Sequence, residues 1–335
     1  MHDIKYIREN PEDFDAALVK RGVDPVARNL LALDEQSRAL KTELQNGQAR
    51  RNEASKAIGQ AKGQGDESAA QALMAEVAEL KSKMPELEER ERAVSGQLYD
   101  IMAALPNLPM DDVPPGTDED DNVEVVRWGE PRAFDFTVRE HSDIGPALGL
   151  EFETAAGMSG TRFAFLRGQM AKLQRAIGQY MLDQQTMNNG YQECAPPLLV
   201  RDEAVFGVGQ LPKFAEDMFQ TTDGRWLIPT AEVSLTNSVR EQILEEGKLP
   251  IRLAALTPCF RSEAGSAGKD TKGLIRQHQF EKVELVTIAH PDHSGEEHER
   301  MTAAAESILQ ALELPYRKML LCAGDMGAAA RKTFD

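Results

Sequence analysis

Between residues 33 and 105 the chain carries two series of mainly apolar residues that step alternately by four and three. The first runs Leu33, Ser37, Leu40, Leu44, Gly47, Arg51, Ala54, Ile58, Ala61. The second runs Leu73, Val77, Leu80, Met84, Leu87, Glu91, Val94, Leu98, Ile101, Leu105. A mean step of about 3.5 keeps one stripe of a helix facing a neighbouring helix. Residues 62–66, Lys-Gly-Gln-Gly-Asp, put two glycines between the series, where a tight turn is needed. An antiparallel helical hairpin satisfies both series at once. Pro85 predicts a kink in the second helix. Arg51 and Glu91 fall on the stripe and predict an imperfect seam. Upstream, Asn10-Pro11 reads as the cap and first residue of a helix that Gly22 ends.

Charge divides unevenly over this hairpin. From Arg28 to Lys62 there are seven Lys/Arg against four Asp/Glu; from Asp66 to Leu105 there are four against nine. The whole protein has a net charge of −17 over 335 residues, which argues against wholesale nucleic-acid binding. Any RNA contact must come from a local basic surface, and Arg28, Arg38, Lys41, Arg50, Arg51 and Lys56 are the candidates. By itself, a charged helix face is more often simply solvated. Residues 106–122 hold four prolines and six acidic residues and read as linker. The organisation predicted is an arm over 1–105, a linker over 106–125 and a second domain over 126–335.

No run of 18 apolar residues exists to span a membrane, and the start MHDIKYIRENPEDF lacks an apolar signal core. Cys194, Cys259 and Cys322 lie far apart, as reduced thiols in a cytosol do. His290, His293 and His298 read as a polar loop entering a helix rather than as metal ligands.

In the second domain, residues 253–262 form an apolar strand ending in Arg261-Ser262-Glu263. Residues 263–274 have loop chemistry, with Gly265, Gly268 and Gly273 among polar residues. Residues 275–288 resume as strand. Side chains alternate faces with period 2, so His278, Phe280, Lys282 and Glu284 share one face and Arg261 and Glu263 share one face of the partner strand. A hairpin would gather a guanidinium, two carboxylates and a ring. Arginine matches phosphate oxygens, carboxylates bind ammonium groups or, through magnesium, phosphates, and a ring can stack on a nucleobase. Each residue alone also has an ordinary reading as a strand or core position.

Taken together, Phe-Arg-Ser-Glu-Ala-Gly at 260–265, the glycine-containing basic loop, His-Gln-Phe at 278–280 and Lys-Val-Glu at 282–284 resemble motif 2 of the class II aminoacyl-tRNA synthetases. The form is that of the seryl-tRNA synthetases. Residues 141–168 resemble the segment that enters that family's catalytic domain. Residues 190–200 resemble motif 1, with Pro197 at its proline. Residues 207–214, Gly-Val-Gly-Gln-Leu-Pro-Lys-Phe, match a family segment with Val208 in place of threonine. Residues 227–237 resemble its Thr-x-Glu loop, with Ser234 where the family has a proline. The N-terminal arm fits the bacterial type, and the matches span nearly the whole chain in family order.

The resemblance implies an α+β fold, with a coiled-coil arm and a catalytic domain on a mainly antiparallel sheet. It implies a cytoplasmic homodimer that activates L-serine with ATP and Mg2+ and charges tRNA(Ser), and by family habit tRNA(Sec). Arg261 and Glu263 would be catalytic, and Arg261, Ser262, Glu263 and Phe280 would bind ATP. Thr230, Ala231, Glu232, Arg261 and Glu284 would bind serine, and the arm would grip the long variable arm of the tRNA. The helix carrying Met170, Leu173, Ile177, Met181 and Leu182 is expected to face a core and, with the motif 1 strand, to build the dimer interface.

The family's third motif would follow residues 324–335, and Gly327 to Arg331 is not read as that motif. The expectation is that the chain as far as Asp335 lacks an arginine for the γ-phosphate and by itself shows little serine-dependent ATP–pyrophosphate exchange. Other readings are a different class II synthetase, a carrier-protein-acylating relative, which would lack the long arm, and a coiled-coil RNA-binding or interaction protein without ATP chemistry.

Overall fold

The chain opens with α1 (Ile4–Glu9) and α2 (Pro11–Lys20), followed by the long helices α3 (Ala27–Gly63) and α4 (Glu67–Ala104). The computed structural model describes residues 2–264 and 272–335. It divides into one unit of residues 1–123 with 320–333 and 335, and a second of 124–319 with 334. In the first unit, Pro11 occupies the start of α2, where a missing N–H leaves nothing unpaired. Asn10 makes no side-chain cap there; its amide donates to Tyr6 O instead (3.2 Å). The start of α3 is capped from α2: Asp15 Oδ1 accepts from Val26 N and Ala27 N, both at 2.9 Å. Asp66 caps α4 through Ala69 N (2.9 Å), after Gly65 turns the chain at φ +75°. Ile7, Phe14, Leu18, Ala27, Leu30 and Met102 form the core at the hairpin's base.

Along the hairpin, Leu33, Ser37, Leu40, Ala54 and Ala61 of the first predicted series are buried and the remainder half-buried. In the second series Met84 is buried and the others are half-buried. Two helices alone cannot close over their shared stripe, so partial burial is what this geometry allows. Glu91 in the seam is satisfied there: its Oε1 accepts from Ser95 Oγ (2.5 Å) and Ser37 Oγ (3.3 Å) and pairs with Lys41 Nζ (3.3 Å). The helix continues through Pro85 as one element.

Residues 106–122, expected as linker, are hydrogen-bonded to the 320–333 segment, which the sequence alone assigns to the second domain. Asn107 N donates to Ala328 O (2.7 Å), Met110 N to Arg331 O (2.9 Å), and Gly324 N to Gly116 O (3.0 Å). Arg21 donates to Met326 O and Gly327 O (3.1 and 3.0 Å). Backbone amides that would otherwise lack partners are thereby paired.

The second unit runs from β1 (Val123–Trp128) through α5 (His141–Ile144), β2 (Leu150–Glu151), α6 (Phe152–Ser159), β3 (Phe165–Leu166) and α7 (Gln169–Asn188). Next come β4 (Gln192–Glu193), β5 (Leu199–Val200), α8 (Asp202–Gly207), β6 (Trp226–Leu227), α9 (Glu232–Thr236), β7 (Ile251–Phe260), β8 (Gln279–Ile288), α10 (Ser294–Ala311) and β9 (Tyr316–Leu320). The centre is a three-stranded sheet in the order β4-β7-β8, with β4 parallel and β8 antiparallel to β7. Both faces of β7 are covered. Leu253 and Ala255 join a core with Val205, Trp226, Ile228, Val233 and Val286. Ala254 points the other way, to Leu182, Tyr191 and Ala304. This is period-2 alternation in a strand buried on two sides.

Two local expectations are corrected. β8 begins at Gln279 rather than Ile275, because residues 272–278 turn, with Gly273 at φ +68°. On α7, Leu182 is buried, but Leu173 is 52% exposed and does not face the core of its own unit. The histidines near α10 hold local contacts: His290 Nδ1 accepts from Asp292 N (3.2 Å), and His298 stacks on Phe334 at 5.3 Å.

Candidate active site

The site forms where the end of β7 meets the loop before α9. Phe260 N donates to Ile228 O (2.9 Å), laying residues 228–232 beside the strand. Arg261 follows immediately. Its backbone N donates to His278 O (3.0 Å), and its carbonyl accepts from His278 Nδ1 (3.0 Å), so the neck of the hairpin is closed twice. The His278 ring is flanked by Phe163 and Phe219 at 5.3 and 6.0 Å, and its backbone N donates to Arg162 O (2.9 Å).

The Arg261 guanidinium lies over the Phe280 ring, 5.3 Å from its centroid, and Nε donates to Pro229 O (3.3 Å). A cation over an aromatic face is attracted by the ring quadrupole. The register explains the pairing: Cys259 is opposite Phe280, so Arg261 projects from just beyond the strand on the Phe280 face.

Further along the same face, Thr257 is opposite Lys282 and Ala255 opposite Glu284. Thr230 Oγ1 donates to Glu284 Oε2, and Lys282 Nζ lies 2.5 Å from that same oxygen. Glu232 opens α9, and its backbone N donates to Thr230 Oγ1 (3.2 Å). Thr230 and Ala231 are buried. Burial, and then the nearby Glu284 charge, push the Glu232 carboxyl above the usual carboxylate range against the opposing pull of Lys282 and Arg261. The result is a pocket with carboxylates and a hydroxyl beside two cations. It can take a small zwitterion, ammonium towards the carboxylates, next to a guanidinium suited to phosphate.

Six of the sequence-derived site residues therefore converge: Thr230, Ala231, Glu232, Arg261, Phe280 and Glu284. Ser262 and Glu263 lie on the turn beyond. Ser262 Oγ donates to Glu216 O and its backbone N to Asp217 O (2.8 Å). Glu263 adopts φ +53°, and its carboxylate pairs with Arg276 (3.0 Å). The tip of that loop, 265–271, lies outside the described residues. Lys282, Arg162, Arg276 and His278 are charged or polar groups of the site to which sequence reading assigns no role. Period 2 puts Lys282 on the Glu284 face, but nothing local says the two would touch.

At the motif 1 proline, Pro197 O accepts from Ser234 Oγ (2.7 Å), a bond a proline at 234 could not donate. On the arm, Arg50 is gripped by Glu76 across the hairpin (2.5 and 2.8 Å) and by Glu53 (3.0 Å). Lys41 pairs with Glu91, Arg38 with Asp34 (4.0 Å), and Arg51 reaches Met84 Sδ (3.9 Å). Arg28 lines a groove of about 420 Å³ with Glu12, Asp15 and Glu35, and Lys56 is exposed.

Residues 218–335 match the tRNA synthetase class II core domain (G, H, P, S and T). The fold is that of a class II aminoacyl-tRNA synthetase catalytic core. Residues 1–109 match the seryl-tRNA synthetase N-terminal domain. The serine–tRNA ligase of Erythrobacter litoralis is 67% identical over all of this chain and 79% of its own length; that of Zymomonas mobilis is 59% identical over the same shares. The crystal structure of seryl-tRNA synthetase from Pyrococcus horikoshii complexed with ATP superposes with a TM-score of 0.90 at 34% identity, covering 100% of this chain and 80% of that one. The chain belongs to the seryl-tRNA synthetase family.

Proposed function

We propose that the protein activates L-serine with ATP and transfers the seryl group to tRNA(Ser), with tRNA(Sec) as a second acceptor on family grounds. The serine carboxylate oxygen attacks the α-phosphorus, the bond to the pyrophosphate leaving group breaks, and seryl-adenylate forms. A terminal ribose hydroxyl of the tRNA then takes the acyl group and releases AMP. The observation that carries this reading is Arg261 over Phe280 beside the Thr230–Glu284–Glu232 cluster.

In that reading Arg261 neutralises the α-phosphate and orients the serine carboxylate. Phe280 offers its face to adenine, and the Thr230–Ala231–Glu232 loop with Glu284 receives the ammonium and hydroxyl. Positioning and charge neutralisation supply most of the rate in such phosphoryl chemistry. A pocket built around a hydroxyl rejects alanine because its own polar groups would be left unpaired.

Magnesium would arrive with the triphosphate. Among the described residues no three or more His, Cys, Asp or Glu side chains converge on one point, so phosphate oxygens would complete the ion's shell. Glu263 is the carboxylate assigned to that end, with Arg276 as its present partner. Ser262, held by Glu216, fixes the turn that presents Arg261 and Glu263 to ATP.

The arm over 1–105 is read as the tRNA grip, through Arg28, Arg38, Lys41, Arg50, Arg51 and Lys56. Exposed Leu173, Met187 and Leu199 on α7 and β5 (52%, 76% and 48%) support a homodimer through the motif 1 region around Pro197. No helix among the described residues is long and apolar enough to cross a membrane, and we place the enzyme in the cytoplasm.

The test is ATP–pyrophosphate exchange by the full-length protein across the amino acids. Exchange driven by serine alone is the expected result. Exchange driven by another amino acid would transfer the assignment to a different class II synthetase.

A further inference from the structure

Lys282 is a charged residue at the heart of the site that the reaction just described does not use. Its ammonium contacts Glu284 Oε2, the oxygen that also takes the Thr230 hydroxyl. The pair is partly withdrawn from water, with Lys282 34% and Glu284 18% exposed at the side chain, so salt screens it less than a surface pair. The titratable and charged groups around Lys282 are Glu284 on its own strand, buried Cys259 on β7, Arg261 just beyond the end of β7, and Glu232 from α9. Two carboxylates sharing a half-buried site repel, and one of them tends to take up a proton. A protonated carboxyl cannot pair with an ammonium. An empty pocket with two uncompensated carboxylates would also be costly to fold.

We propose that Lys282 is a positioning residue of the amino-acid pocket: it holds Glu284 through Oε2, leaves Oε1 for the substrate ammonium, and offsets the repulsion between the Glu232 and Glu284 carboxylates. This rests on reading the pocket as an amino-acid site. Lys282 itself need not touch the substrate; it acts through Glu284 and Glu232.

The experiment follows the Michaelis constant for L-serine in ATP–pyrophosphate exchange by full-length Lys282→Met, from about pH 5.5 to about pH 8.5. Methionine keeps the apolar stem and removes the charge. The KM for serine should rise by about tenfold near pH 6 and by less near pH 8.5, its midpoint moving to higher pH. The KM for ATP should change by less than about twofold. Lys282→Arg, which keeps the charge, should return the midpoint to its original place. A pH-independent rise in both Michaelis constants overturns the proposal, as does Lys282→Arg behaving like Lys282→Met. Should Lys282→Met fail to fold, as judged by circular dichroism, Lys282→Gln is carried through the same series. If the unaltered enzyme activates another amino acid, the serine assignment falls alone. The same pH series with that amino acid still decides the role of Lys282, because the ammonium is common to both.

Discussion

The hydroxyl of Thr230 donates to Glu284 Oε2 across 54 positions of sequence. That bond ties the loop before α9 to the middle of β8, and Glu232 and Lys282 are drawn in beside it. A hydroxyl from one segment and a carboxylate from another are held together by the protein's own contacts, and a site fixed in this way suits both binding and catalysis.

Arg261→Ala should lower serine activation in the full-length enzyme by about 2–4 kcal/mol in transition-state terms, the loss of one preorganised charge partner. Arg261→Lys should recover little of this, because an ammonium lacks the planar fork that matches phosphate and stacks on Phe280. Serine-dependent exchange within a few-fold of wild type for Arg261→Ala would reject the assignment.

Glu284→Gln should weaken serine far more than ATP, since the amide keeps the shape but loses the charge that an ammonium needs. Both Michaelis constants come from the same exchange assay. An equal loss for the two substrates would remove Glu284 from the amino-acid pocket.

Glu232 makes a prediction about stability. Its carboxyl is raised above the ordinary value of 4.5 by burial and then by the Glu284 charge. The folded state therefore holds this proton more tightly than the unfolded chain does. The penalty for ionising it is absent below the unfolded value and fully present above the raised folded value, so this group lowers stability as pH rises. Glu232→Gln should raise the unfolding midpoint more at about pH 8 than at about pH 4, while impairing serine binding. Thermal melts of both proteins at the two pH values decide it; an equal effect at both would mean the charge is not the cause.

Asp15→Ala should destabilise the N-terminal unit by about 1–2 kcal/mol, because one carboxylate oxygen accepts both Val26 N and Ala27 N at the start of α3. Asp15→Asn should recover part of the loss by keeping an acceptor. Urea unfolding followed by helical circular dichroism reads the difference, and no change for Asp15→Ala would mean water replaces the cap without penalty.

On the arm, neutralising Arg50, Arg51 and Lys56 together should weaken tRNA binding and flatten its dependence on salt. Because Arg50 is already gripped by Glu76, Glu76→Gln should release it and tighten tRNA binding at low salt. Filter binding over a salt series measures both. Helical circular dichroism of the triple variant checks that loss of the Arg51–Met84 contact has not opened the hairpin. Unchanged tRNA affinity in the triple variant at low salt removes this footprint.

Much of this was legible without coordinates, for reasons that are local. Helical and strand periodicities follow from backbone geometry, so the stripe from Leu33 to Ala61 and the face shared by Phe280, Lys282 and Glu284 were readable directly. Motif strings such as Arg261-Ser262-Glu263 are contiguous, and so the family was readable as well. Where a strand begins proved less so: the turn at Gly273 delays β8 to Gln279, because one residue at positive φ redirects several that have strand-like composition.

What the sequence by itself determined, then, was the set of elements, which residues share a face, and the family those motifs carry. The tertiary structure decided which faces meet. It put Lys282 against Glu284 rather than in water, returned residues 320–333 to the N-terminal unit through hydrogen bonds such as Asn107 to Ala328, and left Leu173 exposed on a helix whose pattern asked for burial. The physical reason is common to all three. A side chain's partner is set by packing between segments far apart in sequence, and backbone periodicity specifies direction only within one segment.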